Sequence, residues 1–183
     1  MNVKTIYLGG VPASGKSTLF KRIREVLFAD AEAFAHGLCR GVARGPYRML
    51  GVFDGSTFEG TDRLSMAVIG DALDYVAALE REGARRVVFV EGDRLFNKRF
   101  IRETHAEAYV IDAIQPVLDA RRSARAAGGD GQSATFLKAK RTKVENLVRE
   151  LGLRRAWNNT AADQARLVAY FVGKARAWAG GAA

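Results

Sequence analysis

The stretch Gly10 to Thr18, GVPASGKST, carries the phosphate-binding loop pattern G-x-x-x-x-G-K-[ST], and its flanks decide the fold. Upstream, Lys4 to Leu8 (KTIYL) is a β-branched and aromatic run that reads as a buried strand; downstream, Leu19, Ile23, Val26 and Leu27 recur at helical spacing. Strand, glycine loop and helix together form the context in which this pattern works. Gly10 and Gly15 let the backbone reverse and aim N–H groups inward, and the first helical turn adds unpaired donors and the positive end of its dipole. Gly10, Val11, Pro12, Ala13, Ser14, Gly15, Lys16, Ser17 and Thr18 are therefore expected to cradle the phosphates of ATP. Lys16 is expected to reach the β- and γ-phosphates, and the Ser17 hydroxyl to ligate Mg²⁺.

Working outward, Ala29 to Arg44 reads as a polar, glycine-punctuated connection and Tyr47 to Phe53 (YRMLGVF) as a second strand ending at the turn Asp54-Gly55-Ser56. Thr61 or Asp62 caps a long helix running to about Glu82, with Leu64, Val68, Leu73 and Val76 inward and Gly83 closing it. Arg86 to Val90 (RVVFV), the most apolar strand, is expected to be central. Glu91-Gly92-Asp93-Arg94 follows it, then a short helix from about Lys98 to His105 and a fourth strand, Ala108 to Ile114. A helix after Pro116 stops at Gly128-Gly129-Asp130-Gly131; a basic helix spans about Ala134 to Leu151, Arg154 to Trp157 is a brief fifth strand, and a last helix runs to about Trp178. Alternating strands and helices imply right-handed crossovers, hence an α/β fold: one three-layer domain over residues 1–183, with a five-stranded parallel sheet between helices.

In such sheets ligands bind beyond the carboxyl ends of the strands. Phosphoryl transfer needs cations and Mg²⁺ on the developing charge, and often a carboxylate for the acceptor proton. Glu91 ends the VVFVE run, where a buried carboxylate is costly unless paired, and is the candidate metal ligand beside Ser17. Asp54 is the first candidate for general base and Asp93 its rival, although Asp54 in FDGS is also a turn former. Arg94 is placed to neutralise phosphate or substrate charge. Thr61 and Asp62 read as capping residues rather than ligands.

The net charge of +9 over 183 residues is uneven. Gln115 to Ala183 holds 13 basic and 5 acidic residues, whereas the preceding segment is nearly balanced. A basic last third implies a polyanionic partner, or a solvated face. Arg121, Arg122 and Arg125 before the glycine break are similar to a mobile lid (about residues 119–143) that closes over ATP; Lys138, Lys140, Arg141 and Lys143 beyond it are candidates for nucleic-acid phosphates. Cys39, the only cysteine, has no disulfide partner, and His36 and His105 are too isolated for a metal cluster. No run is long enough to span a membrane and no signal segment precedes the first strand, so a cytoplasmic protein is expected.

The phosphate loop, the Val90-Glu91-Gly92 strand end, the arginines before a glycine hinge and the short last strand together resemble the nucleoside and nucleotide kinases of the P-loop group. More narrowly, FDGSTFEGTDRLS followed by VVFVEGDRLF looks like the bacteriophage kinases that phosphorylate 5-hydroxymethyluracil within DNA. That resemblance implies an ATP-dependent kinase with Mg²⁺, a base hydroxyl in DNA as acceptor, and the host cytoplasm as location. A free nucleoside or nucleotide is the alternative acceptor, and a non-kinase P-loop NTPase the third reading. No DNA-reading motif accompanies the resemblance. Tyr47, Phe53 and Phe58 are the aromatics available to stack a base, or to pack a core.

Overall fold

Val87, Val88, Phe89 and Val90 are all fully buried, and a run apolar on both faces has to lie inside a covered sheet. The computed structural model, which describes residues 1–55, 59–129 and 131–180, places them there. The elements run β1 (Val3–Gly9), α1 (Lys16–Leu27), β2 (Glu32–His36), β3 (Cys39–Arg44), β4 (Tyr47–Leu50), a 3₁₀ turn (Thr61–Arg63), α2 (Ile69–Arg81), β5 (Arg86–Glu91), α3 (Lys98–Glu103), β6 (Glu107–Asp112), α4 (Gln115–Ala127), α5 (Ala134–Leu151), β7 (Arg154–Trp157) and α6 (Ala161–Gly180). The sheet order is β2-β3-β4-β5-β1-β6-β7. From β4 to β7 every pairing is parallel, while β2 and β3 add an antiparallel extension at one edge.

Alternation along the central strands sends side chains to two cores. Tyr7, Val88, Val90 and Val110 face α2, α3, α4 and α5, whereas Ile6, Leu8, Val87, Phe89 and Ile111 face α1 and α6. Each fully buried aliphatic or aromatic side chain contributes roughly 1.5–3 kcal/mol, which is why these strands anchor the molecule. The neighbouring strands β1 and β5 lead into helices on opposite faces, α1 and α3. Their following loops therefore diverge and open a crevice at the carboxyl edge.

The five parallel strands match the expected core, but the sheet has seven strands. Ala29 to Arg44 is not a connection: it contains β2 and β3, joined through Gly37-Leu38 with His36 opposite Cys39. What stabilises this edge is remote, since Phe34 stacks on Tyr75 of α2 at 4.6 Å and Leu38 N–H donates to Asp71 Oδ2 at 2.6 Å. The strand expected over Tyr47 to Phe53 ends at Leu50, and Val52 makes an isolated bridge to Gly60. The helix expected from Thr61 or Asp62 is interrupted. Thr61–Arg63 form a 3₁₀ turn, Leu64 is extended, and α2 begins at Ile69. The reason is that both capping candidates are bonded elsewhere: the Thr61 hydroxyl donates to the Glu91 carbonyl, and Asp62 Oδ1 accepts from the backbone of Asp93 and Arg94.

Candidate active site

The loop after β1 has the geometry an anion cradle needs. Gly10 has φ +143 and Gly15 φ +85, and a Cβ at Gly10 would lie 2.2 Å from the Ile111 carbonyl oxygen, at Gly15 2.4 Å from Asn158 Nδ2. Among the described residues no side chain caps α1, so its first-turn N–H groups are left for a ligand. The loop is held from behind. Asn158 Nδ2 donates to the Ser14 carbonyl at 2.9 Å, and Arg121 Nη1 lies 3.4 and 3.3 Å from the Ala13 and Ser14 carbonyls while its Nη2 reaches the Asn158 carbonyl at 3.0 Å.

Across the crevice, Glu91 is buried at 3% exposure at the end of β5. Burial pushes its carboxyl up to about 7, aided by the charge of Asp62 and opposed by Lys16, the neighbouring Ser17 hydroxyl and Arg125. Its Oε2 has no hydrogen-bond partner among the described residues. Hard oxygen donors at Ser17 and Glu91 beside Lys16 fit a divalent cation bound together with phosphates. Asp93, two residues on, is held differently. Burial raises its carboxyl, but Lys140 and Lys143 more than reverse this and leave it below the ordinary carboxylate range. Lys143 Nζ is 2.7 Å from Asp93 Oδ1, and Lys140 pairs with Oδ2.

A cleft of about 520 Å³ joins these groups, lined on its polar side by Lys16, Ser17, Asp62, Glu91, Arg94 and Arg125 and closed by α5 through Phe136, Lys140 and Lys143. Arg94 Nη2 donates to the Asp62 carbonyl at 2.8 Å. Asp54 lies at the rim, its two carboxylate oxygens each 2.6 Å from Arg63 Nη1; Arg63 lines the cleft and Asp54 does not. Arg122 pairs with Asp119 at 3.1 Å on α4. Of the three arginines expected over ATP, then, Arg125 faces the cleft and Arg121 grips the back of the phosphate loop.

The four residues expected to meet nucleic acid do not share one outward stripe. Lys140 and Lys143 turn into the cleft, Arg141 Nη2 donates to Gln115 Oε1 at 3.0 Å, and Lys138 lines a separate shallow groove over Phe96 and Leu147. The reason is the packing of α5, which buries Val144 and Leu147 and carries Lys140 and Lys143, each four residues earlier, inward with them. Phe58 and Asp130 lie outside the described residues. Phe53 contacts Phe20 at 6.2 Å between centroids and Tyr47 contacts Phe28 at 6.1 Å, so both are packing residues.

Two residues that shape the site carry no local signal for it: Asp62, whose sequence context is that of a helix cap, lines the cleft, and Asn158, fully buried after β7, holds the phosphate loop from behind. The available signal for Asn158 was its place directly after a parallel strand, on the edge where ligands bind.

A mostly parallel sheet with an anion-binding loop, a buried strand-end carboxylate and cationic side chains from α4 and α5 around one cleft is the arrangement of a P-loop phosphotransferase. The chain belongs to the P-loop Nucleotide Kinase3 family, whose profile matches residues 1–175. It is accordingly a kinase that takes its phosphoryl group from a nucleoside triphosphate with a divalent metal. Among curated proteins no sequence relative is detected. Similar solved structures include a gluconokinase from Sinorhizobium meliloti, 14% identical over 93% of this chain and 92% of that one with a TM-score of 0.49. A sugar kinase from Janibacter sp. is 14% identical over 96% and 94%, with a TM-score of 0.43. Among the described residues no helix is long and apolar enough to cross a membrane.

Proposed function

We propose that this kinase transfers the γ-phosphoryl group of ATP, as the Mg²⁺ complex, to a hydroxyl of a free nucleoside or nucleotide. The observation that carries the small acceptor is the direction of Lys140 and Lys143. They point into the cleft at Asp93, so α5 closes over a small ligand instead of presenting a basic stripe to a polymer. The cleft volume of about 520 Å³ lies within the range of small-molecule sites. Exposed Met66 and Phe136 at its walls supply apolar contact for a base.

Lys16 and the loop amides bind the β- and γ-phosphates, Ser17 and Glu91 hold the metal, and Arg125 neutralises charge on the transferring group. Bound there, the metal ion supplies neutralisation of the phosphate charge. Arg94 lies on the acceptor side, and Arg121 supports the loop.

DNA bearing 5-hydroxymethyluracil is the competing acceptor, supported by the local resemblance in residues 53–65 and 87–96 and by the basic last third. Radiolabelled transfer from ATP separates the two. Thymidine, 5-hydroxymethyldeoxyuridine, their monophosphates and an oligonucleotide containing the hydroxymethylated base are offered side by side. Label entering the free compounds is expected. Label entering the oligonucleotide alone reverses the assignment.

A further inference from the structure

Asp62 stands in the cleft with half of its carboxylate committed. Oδ1 accepts from Asp93 N–H at 2.8 Å and from Arg94 N–H at 3.2 Å, and no protein group among the described residues bonds Oδ2. The 3₁₀ turn carrying it is docked on the end of β5 through the Thr61 hydroxyl on the Glu91 carbonyl and Arg94 Nη2 on its own carbonyl. Two backbone amides and two flanking bonds hold this carboxylate where a side chain in an open loop would turn freely.

The other carboxylates at the site are committed elsewhere. Asp93 sits between two ammonium groups, and Glu59 pairs with Arg24 at 2.9 Å while accepting from Gly55 N–H at 2.8 Å. Asp54 holds Arg63 at the rim. Glu91 lies beside Lys16 and Ser17, where the reading above puts the metal and the donor phosphates. Asp62 is close enough for its charge to act on Glu91. It is thus a cleft-lining carboxylate beside the phosphate-loop side chains Lys16 and Ser17 and the strand-end Glu91, with an oxygen that no described residue bonds.

We propose that Asp62 is the general base of the transfer. Its Oδ2 takes the proton of the acceptor hydroxyl as that oxygen bonds to the γ-phosphorus. The bond from phosphorus to the β–γ bridging oxygen breaks, and its electron pair leaves with ADP. The assignment rests on the kinase reading above and replaces Asp54 and Asp93 in this role.

Asp62→Asn tests it, because the amide oxygen still accepts the two backbone N–H groups. Three quantities are measured for wild type, Asp62→Asn and Asp62→Glu: transfer from ATP to thymidine and thymidine monophosphate, ADP release with water as the only acceptor, and affinity for a fluorescent ADP analogue as a function of Mg²⁺. Turnover in Asp62→Asn is expected to fall about 10²- to 10⁴-fold, with nucleotide affinity and Mg²⁺ half-saturation within about twofold of wild type. Asp62→Glu is expected to recover part of the loss. Turnover above a tenth of wild type in Asp62→Asn overturns the proposal, and so does a tenfold shift in Mg²⁺ half-saturation, which would make Asp62 a metal ligand. If wild type labels neither probe, the nucleoside reading fails, and the base is then judged on water attack alone: unchanged ADP release in Asp62→Asn overturns it, and a 10²-fold fall upholds it.

Discussion

Asn158 Nδ2 donates to the carbonyl oxygen of Ser14 at 2.9 Å, tying the loop after β7 to the phosphate loop. Arg121 reaches the same carbonyl and that of Ala13, so two consecutive peptide planes are pinned with their oxygens outward. A peptide whose oxygen is held outward presents the following N–H to the other side, so pinning the Ser14 carbonyl aims Gly15 N–H at the phosphate position, while the Ser14 N–H after Ala13 closes the loop on the Val11 carbonyl at 3.3 Å. Asn158→Ala leaves the buried Ser14 carbonyl short of a partner, at a cost of about 1–2 kcal/mol. Affinity for a fluorescent ADP analogue should fall roughly 5- to 30-fold, with the far-ultraviolet circular dichroism spectrum unchanged. Wild-type affinity would mean that the loop holds its shape unaided.

Glu91 makes stability depend on pH in an unusual direction. Its folded value of about 7 is raised above the ordinary 4.5, so the folded state binds the extra proton. The stability this group contributes is fully present below the unfolded value and is lost as pH rises through 7. Without Mg²⁺ or nucleotide, the shift corresponds to about 3 kcal/mol between pH 4.5 and pH 8. Glu91→Gln should therefore raise the urea midpoint at pH 8 and leave it nearly unchanged at pH 5. An equal effect at both pH values would show that the carboxyl titrates normally.

The sequence was most readable where local pattern and burial agree. The bounds of α5 and β7 follow from the Gly128 to Gly131 break, a helical apolar period and Gly152, all of them local signals. β2 and β3 were hidden because Glu32 to Arg44 has weak alternation, and the contact that fixes the edge, Phe34 on Tyr75, spans two separate elements. Asp62 failed for a related reason. Its Ser/Thr/Asp-type capping signature is genuine, but the amides it accepts from belong to Asp93 and Arg94, 31 and 32 positions away. The P-loop was legible as a motif, whereas the residues that hold it from behind were not. Long-range polar bonds leave no period in a sequence.

Lys16→Ala should reduce phosphoryl transfer at least about 10³-fold, since the cation is lost from the β- and γ-phosphates where charge develops. The fold should survive because the loop is held through backbone carbonyls by Arg121 and Asn158, not by Lys16. Ser17→Ala is expected to be partly rescued by raised Mg²⁺. Steady-state turnover across a Mg²⁺ series checks both, and wild-type turnover in Lys16→Ala would remove the loop from the mechanism.

Lys138 and Arg141 separate the two acceptors most cleanly, because they lie on α5 outside the cleft while Lys140 and Lys143 lie within it. If the acceptor is a free nucleoside or nucleotide, Lys138→Ala with Arg141→Ala should leave its kcat/KM within about threefold, since surface charges away from a ligand contribute little. Lys140→Ala with Lys143→Ala should lower kcat/KM by at least tenfold, because α5 loses its two salt bridges to Asp93 and the cleft loses its cover. If DNA is the acceptor, each phosphate neutralised by an outer cation releases condensed counterions. The outer pair should then flatten the slope of log affinity against log salt by about one to two. Filter-binding of an oligonucleotide at several salt concentrations, alongside nucleoside phosphorylation by the same variants, reads both arms. A flattened slope with nucleoside turnover absent from wild type would move the acceptor from the free compound to the polymer.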